Sequence, residues 1–254
     1  MTGKKKIGIV GGMGPMATVY LFQKIVENTE SPDDQGHIRI FIDNCPQIPD
    51  RTRAISRGDH TPAQMILSCA KGLAGQGADM ILMPCNTAHY YYEEVQKDLS
   101  VELVNMIDET ARSLAEQKVH TAGLLATTGT VNANLYQKYC EKRGIGILLP
   151  DKEEQDAVMD FIYSGVKASN WTYDVKALRR AAEHLLERGA STLILGCTEI
   201  PVGFHMFGLD LPGVDTLEVL ARAAVVKAGY RLNGSCLSYC LQEVEVRAIF
   251  RDHF

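Results

Sequence analysis

"MPCNTAHYYY" (83–92) sets a cysteine directly after an apolar run and directly before a segment of helical composition. "LILGCTEIPV" (193–202) repeats the arrangement 112 residues on, counted from Cys85 to Cys197. A second pair of landmarks keeps nearly the same spacing: "IGIVGGMG" (7–14) aligns with "AGLLATTG" (122–129) at an offset of 115. Apolar strands with Gly-rich turns are common in α/β chains, so a chance match is the plain alternative. Two landmarks that agree favour duplication. Each half offers a strand, a small-residue turn and a later strand ending in Cys-Asn-Thr or Cys-Thr-Glu, which implies two similar α/β lobes related by pseudo-twofold symmetry.

The rest of the chain fits that frame. Apolar runs at 6–10, 38–42, 79–83, 121–125, 146–149 and 192–196 read as buried strands. They alternate with helix-length stretches at 15–29, 62–76, 89–99, 108–118, 173–189 and 215–229, the pattern of parallel βαβ units. We expect a first lobe over 1–105 with a return helix at 213–230, and a second lobe over 106–212. Residues 231–254 break the pattern and form an appendage without an assigned role; "EVEVRAIF" (243–250) within it has the composition of a strand.

Composition narrows the function classes. The 254 residues are 46% hydrophobic, enough for one large domain or two small ones, and the net charge of −5 offers no basic field for nucleic acid or an acidic membrane. Lys4, Lys5 and Lys6 precede a stretch too short and Gly-rich for a signal h-region, and no apolar run approaches membrane-spanning length. Seven cysteines, an odd count without a CxxC pair, argue against a disulfide framework. A reduced, cytoplasmic protein is expected, with Cys85 and Cys197 as free thiols.

In parallel α/β sheets ligands sit beyond the carboxyl ends of the strands. Cys85, Cys197, the Gly11-Gly12-Met13-Gly14 turn and the Thr127-Thr128-Gly129-Thr130 turn all fall there. Backbone N–H groups at helix starts favour anions, and Asn86, Thr87, Thr128 and Thr130 add short polar donors. Facing turns of this kind would make a carboxylate-binding cleft between lobes. "GGMGPMA" fails the dinucleotide spacing and no Walker lysine follows, so no phosphate cofactor is expected. Arg51, in "IPDRTRA", follows a Pro-rich turn on the cleft side and suits a carboxylate clamp, although the usual fate of an Arg is solvent.

A thiol at a helix start has its pKa drawn towards neutrality and can act as a base. Two thiols across a cleft could remove a proton from one face of a carbon and return one to the other, which is inversion at a stereocentre. A lone Cys after an apolar strand is more often plain core, the reading taken for Cys45, Cys69 and Cys140. His89 lies four residues after Cys85, a spacing that could hold a metal on a helix. With few other candidate ligands it reads as a helix-surface or capping histidine, and no metal is expected. Tyr90, Tyr91 and Tyr92 read as half-buried helix residues and Trp171 as loop packing.

"IGIVGGMGPMAT", "NCPQIPDRT", "MPCNTAH", "GLLATTGT", "IYSGVKAS" and "LGCTE" together resemble the motifs of the cofactor-independent aspartate racemases, in the aspartate/glutamate racemase superfamily. They occur in the family's order over residues 6 to about 230, and "GMGP" with "PDRT" points to the aspartate branch. The resemblance implies two α/β lobes around a cleft, no pyridoxal phosphate, no metal and a homodimer. It implies catalytic roles for Cys85 and Cys197. It also implies a hold by Arg51 and Lys167 on the substrate's side-chain carboxylate. Met13, Asn86, Thr87, Thr128, Thr130, Thr198 and Glu199 would surround the rest of an amino acid. The expected activity is interconversion of L- and D-aspartate without a cofactor. Glutamate or broad-specificity racemisation, a cysteine-dependent isomerase or decarboxylase, and a non-catalytic two-lobed amino-acid binder are the rivals.

Overall fold

A strand covered on both faces has no exposed position. Ile7–Gly11 (β1) is buried throughout. The computed structural model describes residues 3–234. From β1 the chain runs through α1 (Pro15–Asn28), β2 (Ile40–Asn44), α2 (Arg51–Ser56), α3 (Thr61–Gly75) and β3 (Met80–Leu82). A 3₁₀ turn at Thr87–Tyr91, α4 (Tyr92–Lys97), β4 (Glu102–Leu103) and α5 (Met106–Glu116) follow. The second half repeats the plan with β5 (Thr121–Leu125), α6 (Thr128–Asn132), α7 (Leu135–Cys140), β6 (Gly146–Leu148) and α8 (Lys152–Asp160). A π-helical turn, Phe161–Lys167, extends α8. Then come α9 (Lys176–Glu187), β7 (Thr192–Leu195), α10 (Glu199–Phe207), β8 (Gly213–Asp215) and α11 (Thr216–Lys227).

Each half makes one four-stranded parallel sheet, in the orders β2-β1-β3-β4 and β6-β5-β7-β8. The duplication reaches into packing detail. A β carbon on Gly8 of β1 would come within 3.1 Å of Leu73 Cβ in α3, and one on Gly123 of β5 within 2.9 Å of Leu185 Cβ in α9. Equivalent glycines thus let equivalent helices approach their sheets closely.

The last helix of each half crosses over. Ile107, Ala111 and Leu114 of α5 pack with Ala122, Leu124 and Tyr136 of the second half. Leu217, Leu220 and Ala224 of α11 pack with Ile7, Ile9 and Leu21 of the first. The helices start alike. Asn105 Oδ1 accepts from the N–H groups of Ile107 and Asp108, and Asp215 Oδ1 from those of Leu217 and Glu218, so both N-termini are capped.

Two edge strands, β4 and β8, were not expected: at two and three residues they show no periodicity. Residues 213–215, taken above with the return helix, pair with β7, and the helix begins only after the Asp215 cap. Leu232 bridges to Thr29 in antiparallel fashion and Asn233 N–H donates to the Asn28 carbonyl. The strand composition noted at 243–250 lies outside the described residues. No helix among the described residues is long and apolar enough to cross a membrane.

Candidate active site

The carboxyl ends of β1, β3 and β7 bring their turns to one cleft between the lobes. After β1, Gly12 has φ +89°, and a β carbon there would lie 2.3 Å from the Cys45 carbonyl carbon, so the turn needs glycine. Its N–H donates to Thr18 Oγ1 at 3.0 Å, tying the turn to α1. Met13 is buried in the cleft wall, and its carbonyl accepts from Arg51 Nη2 at 3.2 Å. Arg51, the first residue of α2, also donates through Nη1 to the carbonyls of Ile48 (3.1 Å) and Pro49 (3.0 Å). Its Nε is buried without a partner.

Asp50 caps α2 through Arg53 N–H at 2.9 Å and reaches across the cleft. Its Oδ2 accepts from Tyr163 Oη at 2.9 Å and lies 4.0 Å from Lys167 Nζ. Tyr163 and Lys167 share the π-helical turn, and the ammonium stands 4.4 Å from the Tyr163 ring centre. Such turns place side chains that a regular helix would rotate away.

Cys85 follows β3, and the two residues after it are held by the other half. Asn86 Nδ2 donates to Thr216 Oγ1 at 3.2 Å, and its Oδ1 accepts from Tyr136 Oη at 2.5 Å. Thr87 Oγ1 lies 2.9 Å from Thr127 Oγ1 and 3.0 Å from Thr130 Oγ1, a buried hydroxyl cluster across the lobes. Cys197 stands at the start of α10, where its Sγ donates to Glu199 Oε2 at 2.9 Å; Thr198 Oγ1 donates to the same oxygen at 3.1 Å.

Burial governs the titration here. It pushes the Cys197 thiol well above its ordinary value, Glu199 pushes further, and Lys167 opposes. The downward pull expected of a helix start is therefore overturned at Cys197: a desolvated thiol beside a carboxylate keeps its proton. Burial alone would lower Lys167 and Arg51. The Glu199 carboxylate raises Lys167, and the Asp50 carboxylate raises Arg51. Both remain cations in the cleft between the lobes.

Met13, Arg51, Cys85, Asn86 and Thr87 line the cleft from the first lobe, and Lys167, Cys197, Thr198 and Glu199 from the second. Thr130 stands behind Thr87. Thr128 does not line the cleft; it is half-buried, and its N–H meets the Met159 sulfur at 3.2 Å. Thr127, in a turn that sequence reading set at the cleft, and Asp50, beside Arg51, also line it, whereas Thr52 and Tyr163 were missed; Thr52 neighbours Arg51 and Tyr163 precedes Lys167 by four. His89, read as a surface or capping residue, is buried and caps: its ring bonds to the Cys85 carbonyl and takes the Met106 N–H at the start of α5. Of the three cysteines read as core, Cys140 is buried, while Cys45 and Cys69 are half-buried.

Residues 10–224 match the profile described as Asp/Glu/Hydantoin racemase. The chain belongs to the Asp/Glu/hydantoin racemase family. It is a racemase of that family, with a small amino acid as substrate class. The solved structure of Picrophilus torridus aspartate racemase is similar, with a TM-score of 0.77 and 35% identity, over 93% of this chain and 100% of that one. A broad specificity amino-acid racemase of Bacillus subtilis (strain 168) is 27% identical over 223 residues, 86% of this chain and 96% of the relative. Glutamate racemase of Aquifex pyrophilus is 28% identical over 173 residues, 65% of each chain. The fold of the Picrophilus torridus structure matches the two-sheet architecture described above.

Proposed function

We propose that this racemase interconverts L- and D-aspartate, with Cys85 and Cys197 acting as base and acid on opposite faces of Cα. The carrying observation is that two cysteines from equivalent strand ends of the two lobes line one cleft. In the L-to-D direction Cys197, its own proton first passed to Glu199, takes the α-proton as thiolate, and Cys85, as thiol, delivers one to the opposite face. The reverse direction exchanges the roles. Glu199, 2.9 Å from Cys197 Sγ, is placed to take up and return the Cys197 proton between turnovers. An amino-acid α-proton is far less acidic than a thiol, so the carbanion-like transition state needs preorganised donors and a dry site. Arg51 and Lys167 supply positive charge within the cleft and suit the distal carboxylate of a dicarboxylic substrate.

The Bacillus subtilis relative favours one second reading, a racemase of broader specificity. One methylene more or less in a pocket is worth only about 1–3 kcal/mol. The test is chiral chromatography of aspartate, glutamate and alanine incubated in deuterated water with reductant and no added cofactor. Racemisation of aspartate with deuterium at Cα, well ahead of the other two, is expected. Equal rates on aspartate and alanine would remove the dicarboxylate assignment. Absence of Cα exchange would remove racemisation itself.

A further inference from the structure

His89 is fully buried and takes no part in the proton transfers proposed above, yet both of its ring nitrogens are engaged. Nδ1 lies 2.9 Å from the Cys85 carbonyl oxygen, and Nε2 lies 3.0 Å from the Met106 backbone nitrogen. The Val104 backbone also adjoins the ring, and the Met106 contact assigns the tautomer. Met106 N–H can only donate, so Nε2 accepts, and the ring proton sits on Nδ1 and points at the Cys85 carbonyl. Burial agrees, pushing the imidazole down to about 4 and keeping it neutral.

Met106 is the first residue of α5, the helix that leaves the first sheet to pack on the second. Asn105 Oδ1 takes the next two N–H groups of that helix and the Asn105 carbonyl takes that of Glu109. The open donors of Met106, Ile107 and Asp108 at this helix start are therefore all used, one of them by His89. The ring is a strut between the peptide carrying Cys85 and the start of the crossing helix. Tyr92 stacks near it, with ring centres 6.3 Å apart and planes 6° from parallel. In the second lobe the crossing helix is held differently: Thr216, the first residue of α11, donates through Oγ1 to the Leu195 carbonyl at 3.2 Å. At the 112-residue offset that relates Cys85 to Cys197, position 89 corresponds to Pro201, which has no side-chain donor or acceptor.

We infer that His89 is a positioning residue for Cys85, holding that thiol's peptide against the crossing helix while Cys197 is held by other means. The inference rests on the reading of Cys85 as a proton-transfer group, and the two are separable by experiment. His89→Phe removes both contacts and keeps the ring shape. His89→Asn keeps a donor near Nδ1, and His89→Gln keeps an acceptor near Nε2.

Two measurements are made on each variant after confirming folding by circular dichroism and thermal melting. The first is the rate at which iodoacetamide labels Cys85 and Cys197, resolved by peptide mass spectrometry. The second is aspartate racemisation, with kcat separated from KM. His89→Phe should change the Cys85 labelling rate several-fold and leave Cys197 close to the parent. It should lower kcat about ten- to a hundred-fold with little change in KM, as expected when a reacting group is displaced by a fraction of an ångström. His89→Asn should recover most of the loss, since it keeps the Cys85 contact, and His89→Gln less.

Equal changes at both cysteines, a loss that follows melting temperature across the three variants, or unchanged labelling and kcat would each overturn the inference. Failure of the underlying reading looks different: Cys85→Ser would racemise at the parental rate, while the labelling experiment would still report on the strut.

Discussion

The Cys197 thiol donates a hydrogen bond to the Glu199 carboxylate two residues on, with Sγ 2.9 Å from Oε2. Burial and that charge together keep the proton on sulfur. Glu199→Gln removes the charge, so the Cys197 thiol should titrate at lower pH than in the parent. Labelling of Cys197 by iodoacetamide should become faster at a fixed pH near 8, and turnover from L-aspartate should fall because the proton has lost its acceptor. Peptide mapping and a pH–rate profile in each direction check both. An unmoved Cys197 titration would show that burial alone sets it.

Gly203 in α10 faces the start of the π-helical turn. A β carbon there would stand 2.2 Å from Phe161 Cζ and 2.9 Å from Val166 Cγ2. Phe161 is fully buried and cannot swing aside. Gly203→Ala should therefore cost about 1–3 kcal/mol of stability and displace Tyr163 and Lys167. Urea denaturation should show the first. A rise in KM for aspartate exceeding any fall in kcat should show the second, although Gly203 touches no substrate.

His89 titrates at about 4 in the fold against its ordinary 6.5, because burial disfavours the charged ring. A lowered folded pKa means stability that is complete above pH 6.5 and is lost as pH falls through 4. The window corresponds to about 3 kcal/mol. His89→Asn should flatten this part of the stability profile, measured as urea midpoints at pH 7, 5.5 and 4.5. Parallel profiles for the two proteins would place the acid sensitivity elsewhere.

Arg51 spends both terminal nitrogens on three backbone carbonyls, those of Met13, Ile48 and Pro49. Arg51→Lys keeps the charge and loses the fork. It should leave carbonyls unpaired at a cost of about 1–3 kcal/mol, and should raise KM and lower kcat together as the Met13 turn loosens. Steady-state kinetics on both enantiomers, with melting curves, test this.

Cys85→Ser and Cys197→Ser should each abolish full racemisation, because every turnover needs a base and an acid. Partial reactions should divide. With an L-substrate bearing a β-leaving group, Cys85→Ser retains elimination, and with the D-form Cys197→Ser does. Equal elimination of both enantiomers by both variants would sink the two-base assignment.

The residues that sequence reading placed best are those whose role is local. β1, β3, β5 and β7 are buried runs that announce themselves by composition, and β2 and β6 were found too although both are partly exposed, so six of the eight strands were legible. β4 and β8 are too short for any periodicity, and α2, α6 and α7 are five or six residues long. Within the cleft, residues beside a cysteine or a glycine turn could be chosen by position. Tyr163 could not, because it reaches Asp50 only through the π-helical turn, and nothing in "FIYSGVK" signals that change of winding. Of the two readings given for His89, the capping one holds, since its ring takes the first N–H of α5, and the surface one fails because the start of α5 closes over it.

The crossing of α5 and α11 bears on how such a chain could have arisen. One repeat on its own would extend its final helix away from its own sheet, leaving the apolar face of that helix and the flank of the sheet bare. Two copies of such a half-chain would complete each other by trading helices, as an intertwined pair. A tandem fusion of those copies gives the present connectivity with no new contact required. The seam where one ancestral C-terminus was joined to the next N-terminus would lie between the end of α5 and β5.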